Sequence, residues 1–187
     1  VLEGLDCDLE DLVTLLCFYV NDGSMEEADF LSMVGACLPV GCRPTVNAVP
    51  VPWLAYDGLM VEIEGYAMRR ENGERTERSY APDDLGSPLP APFVQGLRSG
   101  KMIYVSAQYP LDASGAVLHH SDIVGQTKQV VSQVGAVLGH FGVVYDDVVK
   151  INRWYAGGSG VGDFEAAALA CAGHFSEPGP AATGVPL

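Results

Sequence analysis

Positive charge is scarce in this chain. Ten Lys and Arg stand against 24 Asp and Glu among 187 residues, a formal net charge of −14 at pH 7. The basic residues are scattered rather than gathered in a stripe, so a phosphate backbone is repelled and nucleic acid is excluded as a partner. Long apolar runs are missing too: none approaches the ~20 residues that span a bilayer, and no signal peptide is visible, so no membrane partner is expected. The five cysteines, Cys7, Cys17, Cys37, Cys42 and Cys171, show no CxxC spacing. Their odd number and apolar neighbours fit free thiols in a reducing, cytoplasmic setting. His119, His120, His140 and His174 lack the spacing of a metal site, so no metal is expected and surface or capping roles are preferred. Gly157-Gly158-Ser159-Gly160 lacks the Lys and Ser/Thr of a phosphate loop and reads as a flexible turn. The chain opens at Val1 rather than at a methionine, and it is expected to be part of a longer protein.

What is present is a core and a repeat. Hydrophobic residues make up 48% of the chain, enough for one large or two small globular domains. Leu9-Glu10-Asp11-Leu12-Val13, an apolar run and Asp29-Phe30 recur about 135 residues later as Tyr145-Asp146-Asp147-Val148-Val149, an apolar run and Asp163-Phe164. The copies are out of phase with the chain ends. Residues 1–70 read as the C-terminal part of a first unit, 71–88 as a linker, and 89–187 as a second unit that lacks its last strand.

The elements follow from period and punctuation. Leu12 to Val20 is β-branched and aromatic and ends at Asn-Asp-Gly, the pattern of a buried strand. Ser24 stands as N-cap of a helix of about 14 residues that ends before Pro39. Strands are expected at Thr45 to Val51 and Leu59 to Met68. In the second of these, Val61 and Ile63 alternate with Glu62 and Glu64. The polar run from Arg69 and the prolines up to Pro92 predict irregular structure. Strands near residues 93–96 and 102–106 form a hairpin across Leu97-Arg98-Ser99-Gly100. Ser121 caps a long amphipathic helix, with Gly142 just past its end. Strand Val148 to Tyr155, a helix Asp163 to Phe175 and a strand from Thr183 repeat the N-terminal order. The assembled unit is an α+β layer, with helices packed on one face of a mixed sheet.

The residues resemble the RidA family, also called YjgF. Ala91-Pro92-Phe93-Val94-Gln95-Gly96, Ile103-Tyr104-Val105-Ser106-Ala107-Gln108, Pro110-Leu111-Asp112, Gln126-Thr127-Lys128-Gln129 and Asp146-Asp147-Val148-Val149-Lys150 carry the likeness in the second copy. Arg43-Pro44-Thr45-Val46 and Val61-Glu62-Ile63-Glu64-Gly65 carry it in the first. The resemblance implies a chorismate-mutase-like sheet, trimers or pseudo-trimeric assemblies with ligand sites in clefts between units, and hydrolysis of reactive enamine and imine acids to keto acids and ammonia. No cofactor is implied, because such a substrate is already activated.

By that resemblance Arg43 is the carboxylate-binding arginine, a role that suits the paired donors of a planar guanidinium. Its plainer alternative is a surface arginine beside a turn. Glu62 falls where relatives place an acid that positions water or moves a proton, against the alternative of a solvated strand face, which is preferred for Glu64. Thr45 offers a backbone N–H to the same carboxylate, and Phe93, Ser106 and Ala107 complete the substrate-binding set. The second copy departs from the pattern: no arginine follows Arg153, Phe93 replaces a common tyrosine and Ala107 a common glycine. Trp53 and Tyr56 lie in a stretch about four residues longer than in shorter relatives, read either as a lid over Arg43 or as a plain long hairpin. An enzyme acting through Arg43 and Glu62 is one reading. The other is a non-catalytic ligand-binding or assembly module of a larger protein, such as a diphthamide-synthesis amide ligase.

Overall fold

A computed structural model describes residues 1–156 and 161–187, so the Gly157–Gly160 turn lies outside the described residues. The elements form an α+β fold in two compact units, residues 1–83 with 89–107 and residues 84–88 with 108–187. Compactness does not follow the expected repeat boundary. Residues 89–107, read as the start of the second copy, pack with the first segment.

The first unit is built on β1 (Leu12–Val20). Its residues alternate in burial, with Leu15, Cys17 and Tyr19 buried against α1 (Glu27–Ala36), where Phe30 stacks on Tyr19 at 4.1 Å between ring centroids. Each such apolar side chain contributes about 1.5–3 kcal/mol by leaving water. Strand β2 (Thr45–Val51) runs parallel to β1, with Thr14 opposite Thr45, and β3 (Val61–Ala67) runs antiparallel on the other side, with Phe18 opposite Glu62. Helix α1 is shorter than expected. Asp22 takes the Ser24 N–H at 3.0 Å, which holds Ser24 in a local turn and delays the helix to Glu27.

The segment after β3 is ordered, contrary to the linker reading. Arg69 and Arg75 bridge each other across a turn at Gly73, whose φ of 80° favours glycine. Both arginines reach the fully buried carboxylate of Asp11, from Arg69 Nε at 2.7 Å and Arg75 Nε at 3.1 Å, and Asp8, Glu10 and the Gly73 carbonyl take further donors. That network stops the polar run from fraying. It leads into β4 (Arg78–Tyr80), which pairs with β5 (Gly96–Ser99), and β5 pairs with β6 (Met102–Val105). The hairpin closes across Gly100-Lys101 rather than across residues 97–100, because Gly100 at φ 58° supplies the left-handed conformation of a tight turn and leaves Leu97–Ser99 free to pair.

The second unit holds α2 (Ile123–His140), β7 (Lys150–Tyr155), α3 (Val161–Ala172) and β8 (Ala181–Pro186). Asp122, not Ser121, caps α2, accepting the Gly125 N–H at 2.9 Å, and Ser121 stands at φ 60° just outside. Gly142 lies just beyond the helix as expected. The local geometry repeats that of the first unit. Short 3-10 turns at Leu9–Asp11 and Tyr145–Asp147 end in aspartates that accept the backbone N–H of Asp8 and Val144. Each turn leads to a strand, a helix and a parallel strand. Lys150 and Ala181 pair at the same offset from Thr14 and Thr45, and Tyr155 stacks with Phe164 at 5.1 Å as Tyr19 does with Phe30.

Candidate carboxylate site

Arg43 precedes β2, and its position is fixed by what holds Pro44 and Val46 after it. Val94 N donates to the Pro44 carbonyl at 3.3 Å, Val46 N donates to Ser106 Oγ at 2.8 Å, and Ala107 N donates to the Val46 carbonyl at 3.1 Å. Ser106 passes its own hydroxyl proton to the Val94 carbonyl at 2.6 Å. Residues 43–46, 93–94 and 106–107 are thereby stitched together within one compact unit. The sequence carried no local signal for these pairings, one of which joins positions 60 residues apart.

Only part of the expected set faces solvent. The Arg43 side chain is 40% exposed, lies over the Tyr80 ring at 5.1 Å from guanidinium carbon to centroid, and donates from Nη2 to Asp83 Oδ1 at 2.9 Å. Thr45 is fully buried and spends its hydroxyl on the Val13 carbonyl at 3.2 Å. Ser106 is buried and engaged on both sides, while the Ala107 N–H is committed to Val46. Phe93 packs in the core with Phe30, Leu31 and Val46 instead of closing an open pocket. A phenylalanine has no polar group to hold toward water.

Glu62 is not brought to Arg43 in this chain. It sits opposite Phe18 on β3, whereas Thr45 sits opposite Thr14 on the far side of β1. Four residues along and two strands across place their backbones roughly 15 Å apart by strand geometry. Glu62 is exposed there, and Glu64 is exposed and accepts the Tyr66 hydroxyl at 3.0 Å. The stretch with Trp53 and Tyr56 is not a lid. It leaves the C-terminal end of β2, about 20 Å along the strand from the end that Arg43 enters. Nor is it a hairpin, since β2 and β3 flank β1 and the connection crosses over.

Cys42, beside Arg43, is buried and donates its thiol to the Leu9 carbonyl at 3.1 Å. Burial pushes its titration up, with Arg78 pulling the other way and Glu10, Asp8 and Asp11 adding to the rise, so it remains a thiol rather than a nucleophile. All five cysteines are free. Among the described residues no group of three His, Cys, Asp or Glu side chains could hold a metal ion, and no helix is long and apolar enough to cross a membrane.

Tyr80 and Asp83 are the site residues that sequence reasoning missed. Both fall in the stretch read as an irregular linker. The available signal was the alternation Arg78-Ser79-Tyr80 ahead of Ala81-Pro82, too short to separate from a turn. In the second unit the strand register that places Ala181 where Thr45 stands also places Gly179 where Arg43 stands.

The fold built by these strands and helices is the RidA-like α+β fold. A Rid-family protein of unknown function, YyfA from Yersinia pestis, superposes with a TM-score of 0.52 at 23% identity, covering 59% of this chain and 86% of that one. Yeast Mmf1 does so with a TM-score of 0.51 at 22% identity, with the same coverage. The Endoribonuclease L-PSP family model matches residues 87–186, just over half of the chain, and the chain belongs to that family, the RidA/YjgF family. A RutC family protein of Pyrococcus horikoshii is 28% identical over 105 residues, covering 56% of this chain and 77% of its own length. A second, from Pyrococcus abyssi, is 34% identical over 71 residues, covering 38% and 52%, so this chain spans about half the length of that relative.

Proposed function

We propose that the protein hydrolyses reactive enamine and imine acids to keto acids and ammonia, with Arg43 holding the substrate carboxylate. The observation that carries this reading is the half-exposed Arg43 guanidinium, backed by an aromatic ring and fixed in place by the contacts around Pro44, Val46 and Ser106. A rigid base lowers the ordering cost of a bidentate grip, which suits a planar carboxylate. In 2-aminoacrylate, protonation of the terminal carbon gives an iminium, water adds to the carbon bearing nitrogen, and ammonia and a proton leave with formation of pyruvate. A guanidinium on the carboxylate orients that carbon for water and offsets the negative charge beside it. The role of Glu62 in proton transfer rests on family resemblance alone.

The tandem arrangement belongs to the same proposal, supported by the repeated turn, strand, helix and parallel strand. So do a homo-oligomeric assembly and a cytoplasmic location. A second reading, a ligand-binding or assembly module without turnover, is favoured by one observation: the position equivalent to Arg43 in the second unit is Gly179. Ammonia release from 2-aminoacrylate, generated in situ by a dehydratase, separates the readings. The enzyme reading expects acceleration over the spontaneous rate that is lost in Arg43→Ala; equal rates with and without protein favour the module.

A further inference from the structure

The guanidinium expected to receive a ligand carboxylate already holds one. Asp83 Oδ1 lies 2.9 Å from Arg43 Nη2, and Arg43 is the one ion-pair partner of Asp83 among the described residues. The Asp83 side chain is itself 75% exposed, so packing does little to hold it beside this contact. Its backbone arrives from a fixed direction. Tyr80 pairs with Leu97, the Ala81 N–H donates to the Gly96 carbonyl at 2.9 Å, Ala81 is buried, and Pro82 restricts the next torsion. The ring of Tyr80 covers one face of the guanidinium, which leaves its edges for anions, and Asp83 occupies one of them.

We propose that Asp83 is an intramolecular competitor for the ligand carboxylate, occupying Arg43 until a ligand displaces it. The inference rests on the reading of Arg43 as the carboxylate-binding residue. Two features set the strength of the competition. A single hydrogen bond between exposed partners is weak and yields readily to a bidentate ligand. The preorganised approach of the 80–83 segment keeps the local carboxylate concentration high, so the contact is not negligible. Together they tune the site to bind weakly held acids only when these are abundant, or when a second contact adds to the carboxylate.

The test is a titration of the full chain with pyruvate, followed by NMR, in wild type, Asp83→Asn, Asp84→Asn, Arg43→Ala and the Asp83→Asn/Arg43→Ala pair. Asp83→Asn is expected to tighten pyruvate binding about two- to fivefold, the range that an exposed ion pair spans. Asp84→Asn removes the same charge one residue away without breaking the contact, and is expected to change affinity less than about 1.5-fold, within weak exposed electrostatics. Arg43→Ala is expected to abolish binding in both backgrounds. Unchanged or weaker binding in Asp83→Asn, or an equal gain in Asp84→Asn, overturns the competitor while leaving Arg43 as the anchor. Binding that survives Arg43→Ala overturns the anchor and the competitor together.

Discussion

Asp11 and Asp147 occupy the same place in the repeated turn, yet their surroundings differ, and removing each side chain should cost very different amounts. Both accept a backbone N–H three residues earlier, at 2.8 Å for Asp11 and 2.9 Å for Asp147. For exposed Asp147 that is the one side-chain hydrogen bond among the described residues, and Asp147→Ala should cost about 0.5–1 kcal/mol, the value of a modest cap. Asp11 is fully buried and also receives Arg69 Nε and Arg75 Nε. Hydrogen bonds to charged groups contribute about 1.5–3 kcal/mol each when buried. Arg69 and Arg75 are 29% and 48% exposed and can regain water, so the sum is discounted for screening. Asp11→Ala should therefore cost about 2–4 kcal/mol.

The pH dependence has a definite sign. Burial pushes the Asp11 carboxyl up, but the Asp8 N–H and the guanidinia of Arg69 and Arg75 together pull it below its ordinary value. A carboxyl depressed in the folded state contributes stability that is fully present above its unfolded pKa of about 3.9 and is lost as pH falls through the folded value. Urea unfolding followed by circular dichroism, at pH 7 and at stepped pH below 5, measures both effects. Asp11→Ala should flatten the acid limb as well as lower stability at pH 7. An Asp11→Ala variant within about 0.5 kcal/mol of Asp147→Ala would show that the buried arginine contacts add no stability, since that is the scatter of ordinary surface substitutions.

Three further outcomes are expected. Gly35→Ala should destabilise by about 1–2 kcal/mol in the same assay, because its Cβ would meet Pro92 Cδ at 2.6 Å and the Ala91 carbonyl at 3.2 Å; that overpacking exceeds the roughly 1 kcal/mol gained from helix propensity. Iodoacetamide at pH 8, read by mass spectrometry, should label exposed Cys37 first and leave Cys17 untouched until the protein unfolds, as burial pushes the Cys17 thiol up to about 11. Glu62→Gln should leave pyruvate affinity within about twofold of wild type, since β1 separates Glu62 from Arg43.

The local parts of the fold were legible because they are written in local patterns. The apolar run Leu12–Val20, the span Thr45–Val51 and the long helix closed by Gly142 lie where periodicity and punctuation put them. What escaped was decided by distant partners or by single turn residues. Asp11 turns a polar run that looks like a linker into an ordered arm, because Arg69 and Arg75 have a buried carboxylate to meet. The hairpin register shifted because a glycine torsion set the turn, and α1 shortened because an aspartate captured Ser24. At the site, Arg43 could be named from resemblance, but Tyr80 and Asp83 could not, and the hydroxyls of Thr45 and Ser106 belong to the scaffold.

Carboxylate ligands are proposed to bind at Arg43, at the entry to β2. Backbone amide shifts of uniformly labelled protein titrated with pyruvate test it most directly. The largest saturable shifts are expected around residues 43–46, 80–83 and 93–107, all of them lost in Arg43→Ala. Shifts confined to the strand that follows Gly179, or shifts that persist without the arginine, would contradict it.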